Sequence, residues 1–179
     1  MKSTNQLAIQ PSSRNASPDH DFAFISQAEI IETYLRGWTP PETLDVSWVF
    51  REAVSAAQAV RWGCFIWLQY VCYRDFIHSQ ENQEALDNIL SAVSRIRPGS
   101  TFDIQFLFPL FMAGVSATLK SERLRIVYRL SILEGNIGTG NIAGAHRLLD
   151  TVWKQINEGQ EAVDWEALLG KDYSGVVLQ

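Results

Sequence analysis

The residues that most often carry chemistry are scarce in this chain: its 179 residues include two cysteines and three histidines. His20, His78 and His146 lie far apart, and none has the H-x-x-x-H spacing or a neighbouring cysteine pair that a metal site needs. No metal and no cofactor is therefore expected. Cys64 and Cys72 are eight residues apart in one aromatic segment. On a helix that separation is roughly 12 Å of rise, beyond the ~7 Å between Cα atoms that a disulfide allows. Flanked by bulky apolar residues, both read as inert thiols rather than nucleophiles. Basic charge is also lacking. The net charge is -5 and the pI about 5.2, whereas a phosphate-gripping surface needs a clustered basic excess, so no direct contact with nucleic acid is expected. Long hydrophobic runs are missing as well. Residues 64–68 and 106–115 are the longest, the second interrupted by Pro109, and neither approaches the ~20 residues of a membrane span. The first twenty residues have no signal-peptide apolar core, which leaves the sequon Asn15-Ala16-Ser17 unused. These absences describe a soluble intracellular protein.

What is present is helical. The hydrophobic fraction of 46% and charged fraction of 20% are ordinary for a globular domain, and the length suits one core. Residues 1–20 are polar and turn-rich and read as a disordered leader, with a single helical domain over 21–179. Ile25, Ala28, Ile31, Tyr34 and Leu35 form a loose stripe that ends near Gly37. Thr39-Pro40-Pro41-Glu42 has the form of a helix start, followed by Val46, Val49, Phe50, Ala53, Ala56, Ala57 and Val60. The pattern continues through, or bends at, Gly63 into residues 64–73, apolar on nearly every face, as in a central buried helix. A strand is the alternative there, because aromatic and β-branched residues abound, but no hairpin signal follows. Leu86, Ile89, Leu90, Val93 and Ile96 make an amphipathic stripe closed by Pro98-Gly99.

Ser100-x-x-Asp103 can cap the next helix, in which Pro109 predicts a kink. A charged helix turns Leu124, Val127, Tyr128 and Leu130 inward and Glu122, Arg123, Arg125 and Arg129 outward, stopping at Gly135. Asn141 caps a helix carrying Ile142, Ala145, Leu148, Leu149, Val152 and Ile156, and Asp164 caps a last one with Trp165, Leu168 and Leu169. The fold class is all-α: an irregular bundle of about six to eight helices, with a central buried aromatic helix and a proline-kinked helix.

Few motifs carry chemistry. Gly138-Thr139-Gly140-x-x-x-Gly144 imitates a dinucleotide loop, yet helix precedes it and the spacing is not G-x-G-x-x-G, so its glycines read as a turn. The basic cluster Lys120, Arg123, Arg125 and Arg129 reads as a solvated helix face. Glu29/Glu32 and Glu158/Glu161 are ordinary surface carboxylates. No catalytic set emerges. The aromatic clusters mostly build a core, but a kinked helix beside an apolar one can enclose a ligand. Trp62, Phe65, Trp67, Phe106, Phe108, Phe111 and Met112 are the candidate residues of an apolar effector pocket.

Residues 106–153 carry one further signal. Phe108-Pro109-Leu110-Phe111-Met112-Ala113-Gly114, then Ser121-Glu122-Arg123, Gly138-x-Gly140-Asn141 and Leu148-Leu149-x-x-Val152-Trp153, resemble the C-terminal regulatory domain of fungal zinc-cluster transcription factors. The similarity extends over residues 45–169. It implies a nuclear, non-enzymatic transcription-regulator domain that senses an apolar small-molecule effector or binds a partner, either the transcription machinery or a second copy. The six cysteines of the zinc cluster are absent. The resemblance then implies a fragment of a longer regulator, or a relative without the DNA-binding half. The alternative is a small helical enzyme or lipid-binding protein unrelated to transcription, which would need polar groups converging inside an apolar cavity.

Overall fold

A computed structural model describes residues 18–42, 47–73, 78–137, 140–160 and 163–172. Among them are seven α-helices and no strand: α1 (Pro18–Gly37), α2 (Trp48–Cys72), α3 (Gln80–Ser94), α4 (Leu107–Ser116), α5 (Lys120–Ile137), α6 (Gly140–Asn157) and α7 (Trp165–Asp172). The all-α bundle expected from periodicity is the architecture found. Of the expected leader, residues 1–17 lie outside the described residues, whereas Pro18 already opens α1. Proline suits that position because its missing N–H is one that a first helical turn leaves unbonded anyway.

α2 starts later than expected. Residues 38–42 are not helical, and Ser47 is the cap, its Oγ accepting from Phe50 N at 3.2 Å. Prolines at 40 and 41 can open a helix, but Ser47 supplies the bond that α2 uses. From Trp48 the helix runs unbroken through Gly63 for 25 residues, and the strand alternative for 64–73 falls away. Phe65, Ile66, Gln69 and Tyr70 are buried, while Trp67 and Val71 face outward. Full enclosure belongs to α4, where nine of ten residues are buried.

The residues that carry the family resemblance turn out to be helix-crossing parts. A Cβ on Gly63 would lie 3.0 Å from Pro109 Cα and 3.2 Å from Phe108 Cε1, so the missing side chain lets α2 meet α4 at the proline. A Cβ on Gly114 would sit 2.6 Å from Leu149 Cδ2. That gap admits the Leu-Leu pair of α6, and the exposed backbone serves a second purpose: Trp153 Nε1 donates to Gly114 O at 2.8 Å. The break expected at Pro109 takes the form of a change in helix type. Residues Asp103–Phe106 form a 3-10 turn, α geometry begins at Leu107, and Pro109 falls in the first turn of α4. An α-helix continued backward would press the proline ring onto the carbonyl of Gln105.

α3 buries Leu86, Ile89, Leu90 and Val93 of its stripe, and Ile96 is buried just beyond its end. α5 does not follow its expected phase: Leu124 is 59% and Tyr128 69% exposed, whereas Ile126, Leu130 and Leu133 are buried. Arg129, expected outside, is buried and paired with Asp103, Nη2 to Oδ1 at 2.6 Å. Arg123 is held too, donating to Ala117 O and Asn157 Oδ1 and lying over Trp153. Of the supposed solvated face, Lys120 and Arg125 remain exposed. α5 also continues past Gly135, and α6 begins at Gly140, one residue ahead of the expected Asn141 cap. Gly138 and Thr139 lie outside the described residues. Asp164 caps α7 as expected, accepting from Ala167 N at 3.0 Å.

Candidate functional site: a groove between the first two helices

α1 buries little of its own. Ala28 is enclosed and Leu35 packs at the core's edge, but Phe24, Ile30, Ile31 and Tyr34 are exposed. Polar contacts near its C-terminus hold it instead. Arg36 bridges Glu32 (2.7 Å) and Glu81 (3.1 Å) and lies 4.6 Å above the Phe65 ring, while Gln69 Nε2 donates to Glu32 Oε2. Arg61 reaches across from α2, its Nη1 donating to Leu35 O and Trp38 O, both at 3.0 Å. The last carbonyls of a helix have no intrahelical partner and carry partial negative charge, so a cation there is favourable.

Beside this contact α1 and α2 leave a groove of about 710 Å³. Ile31, Tyr34, Leu35, Trp38, Ala57 and Val60 make it mainly apolar, and Thr33, Arg61 and Gln105 supply its polar edges. The Arg61 guanidinium stacks on Trp62 (4.3 Å) and Trp38 (5.3 Å). Burial lowers its pKa, but a guanidinium stays protonated in proteins. Among the described residues no carboxylate lies within ion-pair distance of it, and its Nε is buried without a hydrogen-bond partner.

None of the aromatic residues singled out in the sequence lines the groove, although Trp62 lies against Arg61. Trp62, Phe65 and Trp67 are on α2, Phe106 ends the 3-10 turn, and Phe108, Phe111 and Met112 are on α4. Trp67 meets Phe108 edge to face across the α2/α4 crossing, and Trp62 meets Phe65 edge to face within α2. Phe65, Phe106, Phe111 and Met112 have no exposed surface. Reaching them would require the crossing to open. The groove residues escaped sequence reasoning because they come from two helices whose contact no local spacing encodes. Arg61 did leave a signal, a lone cation between Val60 and Trp62.

Two carboxylates are buried and both hold a loop: Glu52, which escaped notice, and Asp103, which was expected only as part of a cap. Glu52 Oε1 accepts from Arg97 N and Nε at 3.2 and 3.0 Å, and its Oε2 from Ser100 Oγ at 2.7 Å. Burial by itself raises the Glu52 pKa, but the hydrogen bonds from Ser100 and Arg97 outweigh it and hold the carboxyl below its ordinary value. Asp103 Oδ2 accepts from Gly99 N, where φ is +83°, and from Asn136 Nδ2, while Oδ1 takes Arg129. The expected Ser100/Asp103 capping box is thus rearranged: Asp103 reaches Gly99 rather than Ser100. These carboxylates are occupied by structural donors.

Burial raises the thiol pKa of both free cysteines. Burial lowers that of His78, against a hydrogen bond to the Ser116 backbone that raises it. His146 lies 4.0 Å from Asp150, and His20 falls at the start of α1. Among the described residues no group of three or more His, Cys, Asp or Glu could hold a metal ion, and no helix is long and apolar enough to cross a membrane.

An all-helical domain with its buried ionisable groups engaged in packing, and an apolar groove beside a cation, has the features of a binding domain. Residues 2–177 match the fungal specific transcription factor domain, and the chain belongs to that family. It is thus a transcription-regulator domain, as its resemblance to zinc-cluster regulators implied. Comparison with curated proteins and with solved structures found no match.

Proposed function

We propose that this domain is a non-catalytic regulatory module acting in the nucleus, and that it receives its signal at the groove between α1 and α2 rather than among the enclosed aromatics. The observation that carries this reading is the groove itself, an apolar trough of about 710 Å³ closed on one side by a lightly packed helix and edged by Arg61. Volumes of this order accommodate drug-sized ligands. An occupant would add apolar surface beneath α1 and favour the docked arrangement in proportion to its differential affinity. The packed α2/α4 crossing behind it supports transmission of that change as a rigid-body shift. A protein partner, from the transcription machinery or a second copy, could use the exposed Ile31 and Tyr34 in the same way.

The net charge of -5 and the engagement of Arg123 and Arg129 in packing support action through partners rather than direct contact with DNA. The test is a fusion of residues 1–179 to an unrelated DNA-binding module driving a reporter in a fungal host. Reporter output that differs from the module alone is expected, together with no salt-sensitive binding of the unfused chain to duplex DNA. Output identical to the module alone, or tight DNA binding by the unfused chain, would refute the reading.

A further inference from the structure

We infer that the groove between α1 and α2 takes an amphipathic carboxylate, an apolar body with one acid group, and that Arg61 is the group that selects the acid. This rests on the groove being the input site. Arg61 already has a structural task, and the question is what remains of its charge once that task is counted. Leu35 O and Trp38 O occupy Nη1, and the helix terminus they belong to offers about half an elementary negative charge. Both acceptors are neutral carbonyls. A guanidinium has five N–H donors, so two carbonyls leave most of them, and much of the positive charge, without a matching anion among the described residues. Arg36 and Arg97, by contrast, meet carboxylates: Arg36 those of Glu32 and Glu81, Arg97 that of Glu52.

The tryptophan faces offset part of the charge, but the buried Nε without a hydrogen-bond partner leaves the cation short of its hydration. The guanidinium lies against the rings of both Trp38 and Trp62, and the groove wall beyond it is aliphatic and aromatic. Taking a charge out of water is unfavourable unless an opposite charge enters with it. An incoming carboxylate supplies that charge through a charge-assisted hydrogen bond, stronger than a neutral one. Its apolar body covers Ile31, Tyr34, Ala57 and Val60. An alcohol of the same length gains the apolar contact but lacks the charge, and an amine of the same length adds repulsion. The groove should therefore rank acid above alcohol above amine.

The full chain is titrated calorimetrically with decanoate, decan-1-ol and decylamine below their aggregation limits. Decanoate is expected to bind at least about tenfold more tightly than decan-1-ol, the ratio that one charge-assisted hydrogen bond supplies, and decylamine more weakly than either. Arg61→Gln should bring acid and alcohol to the same affinity. Because that change also loosens the end of α1, Ala57→Phe is the companion variant. Ala57 is exposed on the groove wall, so the new ring should block all binding while circular dichroism and melting temperature stay those of the parent. Equal affinity for the three probes, no binding of any, or undiminished binding by Ala57→Phe would overturn the inference. So would a dimer that Tyr34→Asp dissociates, since the occupant would then be a second copy. Acid-selective binding without a reporter response sinks the regulatory reading alone. A reporter response without acid selectivity sinks this inference alone.

Discussion

Replacing a helical glycine by alanine usually stabilises, because glycine loses more backbone freedom on folding: the gain is about 0.5–1 kcal/mol. In this fold the sign should depend on where the glycine sits. Gly135, in the last turns of α5, is exposed, and a methyl added there would have nothing within 4 Å. Gly135→Ala should gain the full amount, which for a domain of this size raises Tm by about 1–4 °C. At Gly63 the methyl would meet Pro109 Cα at 3.0 Å. That neighbour is backbone, so α4 would have to move as a body. At Gly114 the methyl would meet both methyls of Leu149 at 2.6 and 2.7 Å. Leu149 has no exposed surface and could yield only by displacing other core side chains. Overpacking of this kind costs about 1–3 kcal/mol, which exceeds the propensity gain. Denaturant melts should rank Gly135→Ala above the parent and the parent above Gly63→Ala and Gly114→Ala. Leu149→Ala should absorb the Gly114→Ala penalty, giving a coupling of about 0.5–3 kcal/mol. If Gly63→Ala and Gly114→Ala stabilise as much as Gly135→Ala, the helices do not cross as closely as these distances require.

Trp153→Phe removes the donor to Gly114 O, but that carbonyl still accepts from Ala117 N at 3.2 Å, so denaturation should report a loss of only about 0.5–1.5 kcal/mol. Asp103→Ala leaves Arg129 buried without its carboxylate and should cost about 3–5 kcal/mol by the same measurement. Stability should also fall on acidification, in two windows read by pH-dependent melts. His78 is held below its ordinary 6.5, so the unfolded chain takes up that proton first and stability declines as pH drops below that value. Glu52 is held below its ordinary 4.5. Its contribution is present above that value and disappears as pH falls through the lower folded pKa, and Glu52→Gln should flatten this second window. Cys64 and Cys72, their thiol pKa values raised by burial, should react with iodoacetamide near neutral pH more slowly than a free thiol in solution.

Helices whose apolar and charged residues alternate cleanly were legible in the sequence in both extent and facing; for helices apolar on several faces the helix was legible and its rotation was not. α3 has one reading, since Leu86, Ile89, Leu90 and Val93 stand against Glu84, Asp87, Asn88 and Ser91. In α5, Leu124, Ile126, Val127, Tyr128, Leu130 and Leu133 cover several faces, so spacing alone leaves its rotation open. The rotation follows from Arg129 reaching Asp103, 26 residues away on another element, and no local pattern announces such a pair. The glycines tell the same story. Gly63 and Gly114 look like Gly135 in one dimension, and only Pro109 and Leu149 reveal why they lack side chains. The family motif was legible as a motif while its purpose, two close crossings and one tryptophan bond, needed three dimensions. Of the aromatic residues expected to line an apolar pocket, Phe65, Phe106 and Phe111 have no exposed surface, because aromatics this dense also pack against each other. The groove formed where α1 has too little apolar surface facing α2 to close the gap.

The central claim is that the signal enters between α1 and α2 and not at the α2/α4 aromatics. The most direct test compares two variants in the reporter fusion at matched protein levels. Ala57→Phe fills the groove, and Trp67→Ala trims the one aromatic of the cluster that is largely exposed, at 46%. Reporter output should change with Ala57→Phe and stay at the parent level with Trp67→Ala; the reverse pattern would contradict the account.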